Sequence, residues 1–126
     1  MEIPEDLRYS PEHEWARVEG DKVRIGITDY AQDSLGDVVY VQGPDLDSEV
    51  AAGASLGEVE STKSVSDLFA PVSGRVVEVN GDLETTPELL NRDPYGEGWI
   101  CVIEVAGASE LDALMDSEAY AALISD

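Results

Sequence analysis

The chain is poor in positive charge. Its 126 residues include 7 Lys plus Arg against 28 Asp plus Glu, a net charge of -21. Nucleic acid and anionic membranes are held by cationic patches, so both are disfavoured as partners. Basic protein surfaces suit such a charge, and solubility or adaptation to salt would account for it equally well. Cysteine is almost absent: Cys101 stands alone, which precludes an intrachain disulfide and leaves a Cys-based zinc site unsupported. This fits a reducing compartment. No apolar run approaches the roughly 20 residues that span a bilayer. The opening "MEIPEDLRYS" shows neither the basic-then-apolar order of a secretory signal nor the Arg-rich, acid-poor character of a transit peptide. The expected location is the cytoplasm, with the mitochondrial matrix as the alternative only if a transit peptide has been removed.

What the chain does contain is a series of short β-branched runs. "KVRIGI" at 22–27, "DVVYVQ" at 37–42, "GEVES" at 57–61, "GRVVEVN" at 74–80 and "WICVIEV" at 99–105 are separated by Gly, Pro, Asn and Asp. That pattern marks a mainly β domain, a small barrel or sandwich of antiparallel strands. "VEGDK" at 18–22 has the Gly-Asp pair of a tight hairpin. The length suits one domain, 1–126, with a core over about 7–105 and a helical segment over about 109–124.

An internal repeat sharpens this reading. "TDYAQDSLGDVVYVQG" at 28–43 and "SDLFAPVSGRVVEVNG" at 66–81 superpose at a constant shift of 38 residues, aligning Asp29 with Asp67, Gly36 with Gly74 and Val41 with Val79. Two copies are too few for a stacked array, which needs three or more, so they read as quasi-twofold halves of one closed sheet structure. "DYAQDSLG" suits a short helix, whereas "DLFAPVSG" carries Pro71 and stays extended. After Val105 the periodicity becomes helical. Ser109 caps a helix with Leu111, Leu114 and Met115 on one face, and a second begins near Asp116 or Ser117 with Tyr120, Leu123 and Ile124 on one side. These short C-terminal helices are expected to pack on the sheet.

Few residues offer chemistry. His13, the only histidine, sits in "SPEHEW", and Cys101 lies in an alternating strand where a small buried thiol is ordinary, so nothing marks a Cys-His dyad. "DLDSE" at 45–49 begins like a calcium loop, but Val50 and Leu56 stand where the EF-hand needs Gly and Glu. "PYGEGW" at 94–99 lacks a phosphate-binding glycine pattern. Lys63 remains. One of only two lysines, it lies in "GEVESTKSVSDLFAP" at 57–71, at or near the tip of a hairpin and beside Ser61, Thr62 and Ser64. A tip lysine is an accessible amine, and a long thiol-bearing acyl chain on it would make a tethered reactive group of high effective concentration. Spacing alone does not separate such a target from a solvated loop lysine.

"SPEHEW", "GITDYAQDSLGDVVYV", "GEVESTKSVSDLFAPVSGRVVEVN" and "NRDPYGEGWI", in this order, closely resemble the H-protein family of the glycine cleavage system, from about Leu7 to Tyr120. A biotin carrier would show Met on both sides of the lysine, where this chain has Thr62 and Ser64. Lipoyl domains of 2-oxoacid dehydrogenase complexes share the hairpin but are shorter and lack both "HEW" and the C-terminal helices. The resemblance implies a barrel-sandwich hybrid fold and lipoate in amide linkage on Lys63. It implies a carrier without an active site of its own, visiting three enzymes. Glycine decarboxylase (the P protein) would load an aminomethyl group, aminomethyltransferase (the T protein) would pass the one-carbon unit to tetrahydrofolate, and dihydrolipoyl dehydrogenase (the L protein) would reoxidise the dithiol. A lipoyl ligase or transferase would attach the group. The family's loaded arm folds into a surface cleft, and Glu14 and Asp67 occupy matching positions, where an anion would face the ammonium. Glu12 replaces a frequent Ser of the family and is left out of that site.

Two rivals stand beside this reading: a lipoyl-relay carrier feeding other lipoyl-dependent complexes, and an unmodified acidic interaction module. A mobile carrier is expected to be a monomer.

Overall fold

The computed structural model describes residues 2–105, 107 and 111–125. In chain order the elements are β1 (Arg8–Tyr9), β2 (Glu14–Glu19), β3 (Lys22–Ile27), α1 (Asp29–Leu35), β4 (Val38–Gln42), β5 (Glu49–Val50), β6 (Ser55–Ser61), β7 (Val65–Phe69), β8 (Gly74–Val79), α2 (Asp82–Thr85), α3 (Leu89–Arg92), β9 (Cys101–Glu104) and α4 (Ser117–Ile124). The hairpin at "VEGDK" forms as expected: Glu19 pairs with Lys22 across Gly20 and Asp21, and Gly20 supplies the left-handed backbone at φ 71°.

The strands pair antiparallel in two sheets. One has six strands in the order β1, β2, β3, β9, β8, β5, and the other has three, β4, β6, β7. Alternation along the strands turns one face of each sheet inward. Ile25, Val76 and Ile103 from the larger sheet share a single apolar cluster with Val41, Val59 and Leu68 from the smaller. Each such fully buried aliphatic side chain contributes about 1.5–3 kcal/mol relative to exposure. The architecture is the mainly β barrel-sandwich. The repeat halves diverge as their residues dictate: "DYAQDSL" folds as α1, capped by the Thr28 hydroxyl accepting from Ala31 N, while the Pro71 segment forms no helix and runs from β7 through a bend at Pro71 and Val72 into β8. The aligned strands β4 and β8 then fall in different sheets.

A second, aromatic cluster lies under the N-terminal segment: Leu7, Tyr9, Trp15, Tyr95 and Tyr120. Tyr9 and Tyr120 stack at 4.7 Å with planes 9° apart. Trp15 donates its indole N–H to Pro94 O at 2.8 Å and lies over its cross-strand partner Gly26, where a Cβ would meet the ring at 2.6 Å.

The C-terminal segment differs from the helical expectation. Ser109 lies outside the described residues, and Leu111 to Leu114 forms a turn closed by Leu114 N to Leu111 O at 3.1 Å. Met115 is extended, exchanging two backbone hydrogen bonds with Tyr9 at 2.7 and 2.8 Å. The open edge of β1 competes for that backbone, and apolar spacing of three and four residues does not reveal a strand partner a hundred residues away. One C-terminal helix is described, α4, which begins where Asp116 caps Ala119 N at 2.8 Å. It buries Tyr120 as expected but leaves Leu123 49% exposed. Among the described residues no helix is long and apolar enough to cross a membrane.

Candidate functional site

The loop joining β6 to β7 is built by serine. Glu60 pairs with Val65, and Ser61 N donates to Ser64 O at 2.8 Å to close the turn. The Ser61 hydroxyl, buried, accepts from Lys63 N at 3.3 Å and Ser64 N at 3.1 Å. The hydroxyl is occupied by backbone, so it leaves the lysine side chain alone. Thr62 N donates to Asp37 O at 3.0 Å, pinning the tip to the loop between α1 and β4. Lys63 is exposed, and among the described residues no carboxylate lies within ion-pair distance of it. Its stem crosses Gly36, at φ 82°, where a Cβ would lie 3.3 Å from Lys63 Cε. Asn91 of α3 holds that crossing in place: Nδ2 donates to Gly36 O at 2.8 Å and to Gln32 Oε1 at 3.1 Å, and Oδ1 accepts from Val38 N at 2.8 Å.

Beside the hairpin opens a cleft of about 430 Å³. Its walls are α1, the edge strand β7 and residues 12–14, and it contains both Glu14 and Asp67. The two expected arm residues are therefore brought together next to Lys63. They differ in environment. Asp67 is exposed on β7 opposite Glu58. Glu14 is 3% exposed, accepting from Ser10 Oγ at 2.6 Å and from Phe69 N at 3.4 Å. Burial pushes its carboxyl up to about 7, against the opposing effect of those two hydrogen bonds. Asp29, the repeat partner of Asp67, does something else: it accepts from Glu2 N at 2.9 Å and from Gln32 Nε2 at 2.7 Å.

The cleft also holds residues that sequence reasoning passed over. Glu12 and His13 line it, as do Tyr30 and Ser34 of α1. A signal for the last two was available in their spacing: Tyr30 and Ser34 are one turn apart, as are Ala31 and Leu35, and all four line the cleft, Ala31 and Leu35 also packing against the core. His13 sits at φ 69° in the turn before β2, with Nδ1 2.9 Å from Tyr120 Oη. Burial lowers its imidazole, partly offset by Glu12. Cys101 takes no part. It is fully buried in β9, does not line the cleft, and burial pushes its thiol up to about 12.

A two-sheet barrel-sandwich with the exposed Lys63 on its β6–β7 hairpin, next to a cleft containing Glu14 and Asp67, is a lipoyl-domain-like fold. The family comparisons are narrower. The model for "Glycine cleavage H-protein" matches residues 7–126. The chain is similar to the glycine cleavage system H protein of Mycobacteroides abscessus, 60% identical over 94% of this chain and 95% of that one. It is also similar to that of Anaeromyxobacter sp. strain K, 57% identical over 100% and 98%. The crystal structure of a glycine cleavage system H protein from Mycobacterium marinum superposes with a TM-score of 0.88 at 44% identity, covering 95% of this chain and 97% of that one. The chain belongs to the glycine cleavage H-protein family.

Proposed function

We propose that this chain works as the lipoyl-bearing carrier of the glycine cleavage system, with Lys63 as the attachment point and no active site of its own. The observation that carries the reading is Lys63 itself: exposed, without an ion-pair partner among the described residues, and set beside a cleft of about 430 Å³. These residues fit lipoate. The amine is open to acylation, and the adjoining cleft combines the apolar walls of Leu35, Val59 and Leu68 with the carboxyls of Glu14 and Asp67.

Lipoate, when bound, supplies a cyclic disulfide that takes up the one-carbon unit of glycine and is regenerated by oxidation of the resulting dithiol. The chain's own residues do the rest. The serine-built turn presents Lys63 to the enzymes, Gly36 lets its stem lie close to α1, and Glu14 and Asp67 offer carboxylates to an ammonium in the cleft. An ammonium there also favours the ionised form of Glu14. The partners on this reading are the decarboxylase, the aminomethyltransferase, dihydrolipoyl dehydrogenase and a lipoyl ligase or transferase. The chain meets them as a single-domain monomer in the cytoplasm. Its net charge of -21 speeds their encounter with cationic rims.

Intact mass with peptide mapping, after incubation with lipoate and an active ligase, tests the assignment. One lipoyl group confined to the peptide holding Lys63, and none on Lys63→Arg, is the expected result. A failure of the wild-type chain to gain mass would leave an unmodified acidic module. Glycine–bicarbonate exchange with the decarboxylase separates glycine cleavage from a relay role.

A further inference from the structure

The back of the cleft is tied to the C-terminal helix by a chain of hydrogen bonds. Ala31 N donates to Thr28 Oγ1 at 3.2 Å, Thr28 Oγ1 lies 2.7 Å from Tyr120 Oη, and Tyr120 Oη lies 2.9 Å from His13 Nδ1. The direction of the protons follows from counting them. Thr28 has no exposed surface, and among the described residues its hydroxyl has one possible acceptor, Tyr120 Oη. If Tyr120 donated to Thr28, the threonine proton would be buried without a partner, a loss comparable to the desolvation of a polar group. With Thr28 donating to Tyr120, and Tyr120 donating onward, both hydroxyl protons are used. His13 Nδ1 must then be the unprotonated nitrogen, and the proton of the neutral ring sits on Nε2.

Nε2 has no hydrogen-bond partner among the described residues, yet His13 lines the cleft. The ring is held on two further sides, by Tyr30 at 4.8 Å between centroids and by Tyr120 edge-on at 5.7 Å. Its backbone, at φ 69°, is fixed by His13 N donating to Ser10 O at 3.1 Å and Thr28 N donating to His13 O at 3.1 Å. We propose that His13 is a hydrogen-bond donor of the cleft through Nε2–H, fixed in that tautomer by Tyr120 and Thr28, and that it takes an uncharged acceptor of the bound arm such as an amide oxygen. Glu14 and Asp67 serve a cation. His13 serves the neutral part, and the C-terminal helix α4 acts on the cleft through Tyr120 as a positioning residue. The role of the arm rests on the carrier reading given above, whereas the tautomer does not.

The experiment has two arms. Long-range proton–nitrogen NMR on the unmodified chain reads the tautomer directly. Wild type is expected to show Nε2 protonated and Nδ1 bare, and Tyr120→Phe, which keeps the stack on Tyr9 but removes the donor, is expected to show a mixture. A protonated Nδ1 in wild type, or an unchanged tautomer in Tyr120→Phe, overturns the proposal whether or not Lys63 is modified. The second arm uses the lipoylated chain, charged from glycine, and follows release of ammonia and formaldehyde as water attacks the aminomethyl carbon. Loss of one net hydrogen bond should speed release about fivefold in His13→Asn. His13→Gln, whose amide reaches the Nε2 position, should stay near wild type. Asn tolerates the left-handed backbone better than Gln, so a merely structural role would rank the two variants the other way, and that ranking, or equal rates in both, would sink the donor role. If the wild-type chain were not lipoylated, the carrier reading would fall while the first arm still decided the tautomer.

Discussion

The side chain of Lys63 rests on the one residue beside it that has no side chain: a Cβ on Gly36 would stand 3.3 Å from Lys63 Cε and 3.9 Å from Cδ and Nζ. Gly36 also adopts φ 82° and ψ -158°, a region open almost only to glycine. Position 36 is therefore constrained twice, by its own backbone and by the stem it supports.

Gly36→Ala is expected to lose about 1–3 kcal/mol of stability from backbone strain alone. Urea unfolding measures that cost. Lipoylation of folded Gly36→Ala, followed by mass, should also be slower than wild type, because the methyl displaces the lysine stem.

Asn91→Ala removes the three hydrogen bonds that hold the platform under Lys63, leaving Val38 N and Gly36 O without their side-chain partner. A loss of about 2–3 kcal/mol is expected, since buried groups are left unpaired. Hydrogen exchange at the Val38 amide should accelerate. An unchanged exchange rate would show that the loop is held by other means.

The buried carboxyl of Glu14 makes stability depend on pH in a definite direction. Its folded value of about 7 lies above the ordinary 4.5, so the native state binds the proton more tightly than the unfolded chain. The stabilisation this gives is complete below about pH 4.5 and is lost as pH rises through about 7. Wild type should therefore fall in stability relative to Glu14→Gln between those values, by roughly 3 kcal/mol at most. Parallel denaturation curves at pH 5 and pH 8 give the comparison.

Gly26→Ala would place a methyl 2.6 Å from the ring of Trp15. Overpacking of this kind costs about 1–3 kcal/mol. Near-ultraviolet circular dichroism should register the displaced indole.

The strands around Ile25, Val41, Val76 and Ile103 were legible because β-branched runs between turn residues have a period of their own. The four-residue helices α2 and α3 were not, since a single turn shows no periodicity. Met115 was misread as helical for the opposite reason: its spacing is good, but the pairing that decides its conformation is with Tyr9. At the site, Lys63, Glu14 and Asp67 were reached through motif resemblance. His13 appeared only as one half of an unsupported dyad, because its actual partner, Tyr120, lies 107 positions away. Hydrogen-bond chains that cross the whole sequence leave no local trace.

Glu14 belongs to the six-stranded sheet, and Phe69, whose backbone N–H it accepts, belongs to the three-stranded one. One carboxyl thus laces two layers together at the floor of the cleft. An ammonium in the cleft that draws Glu14 into its ionised form would strengthen this lacing, because a charged acceptor holds an N–H more tightly than a neutral one. Cargo would then be felt as stiffness between the layers, and a partner pressing on the hairpin would meet a firmer body when the carrier is full than when it is empty.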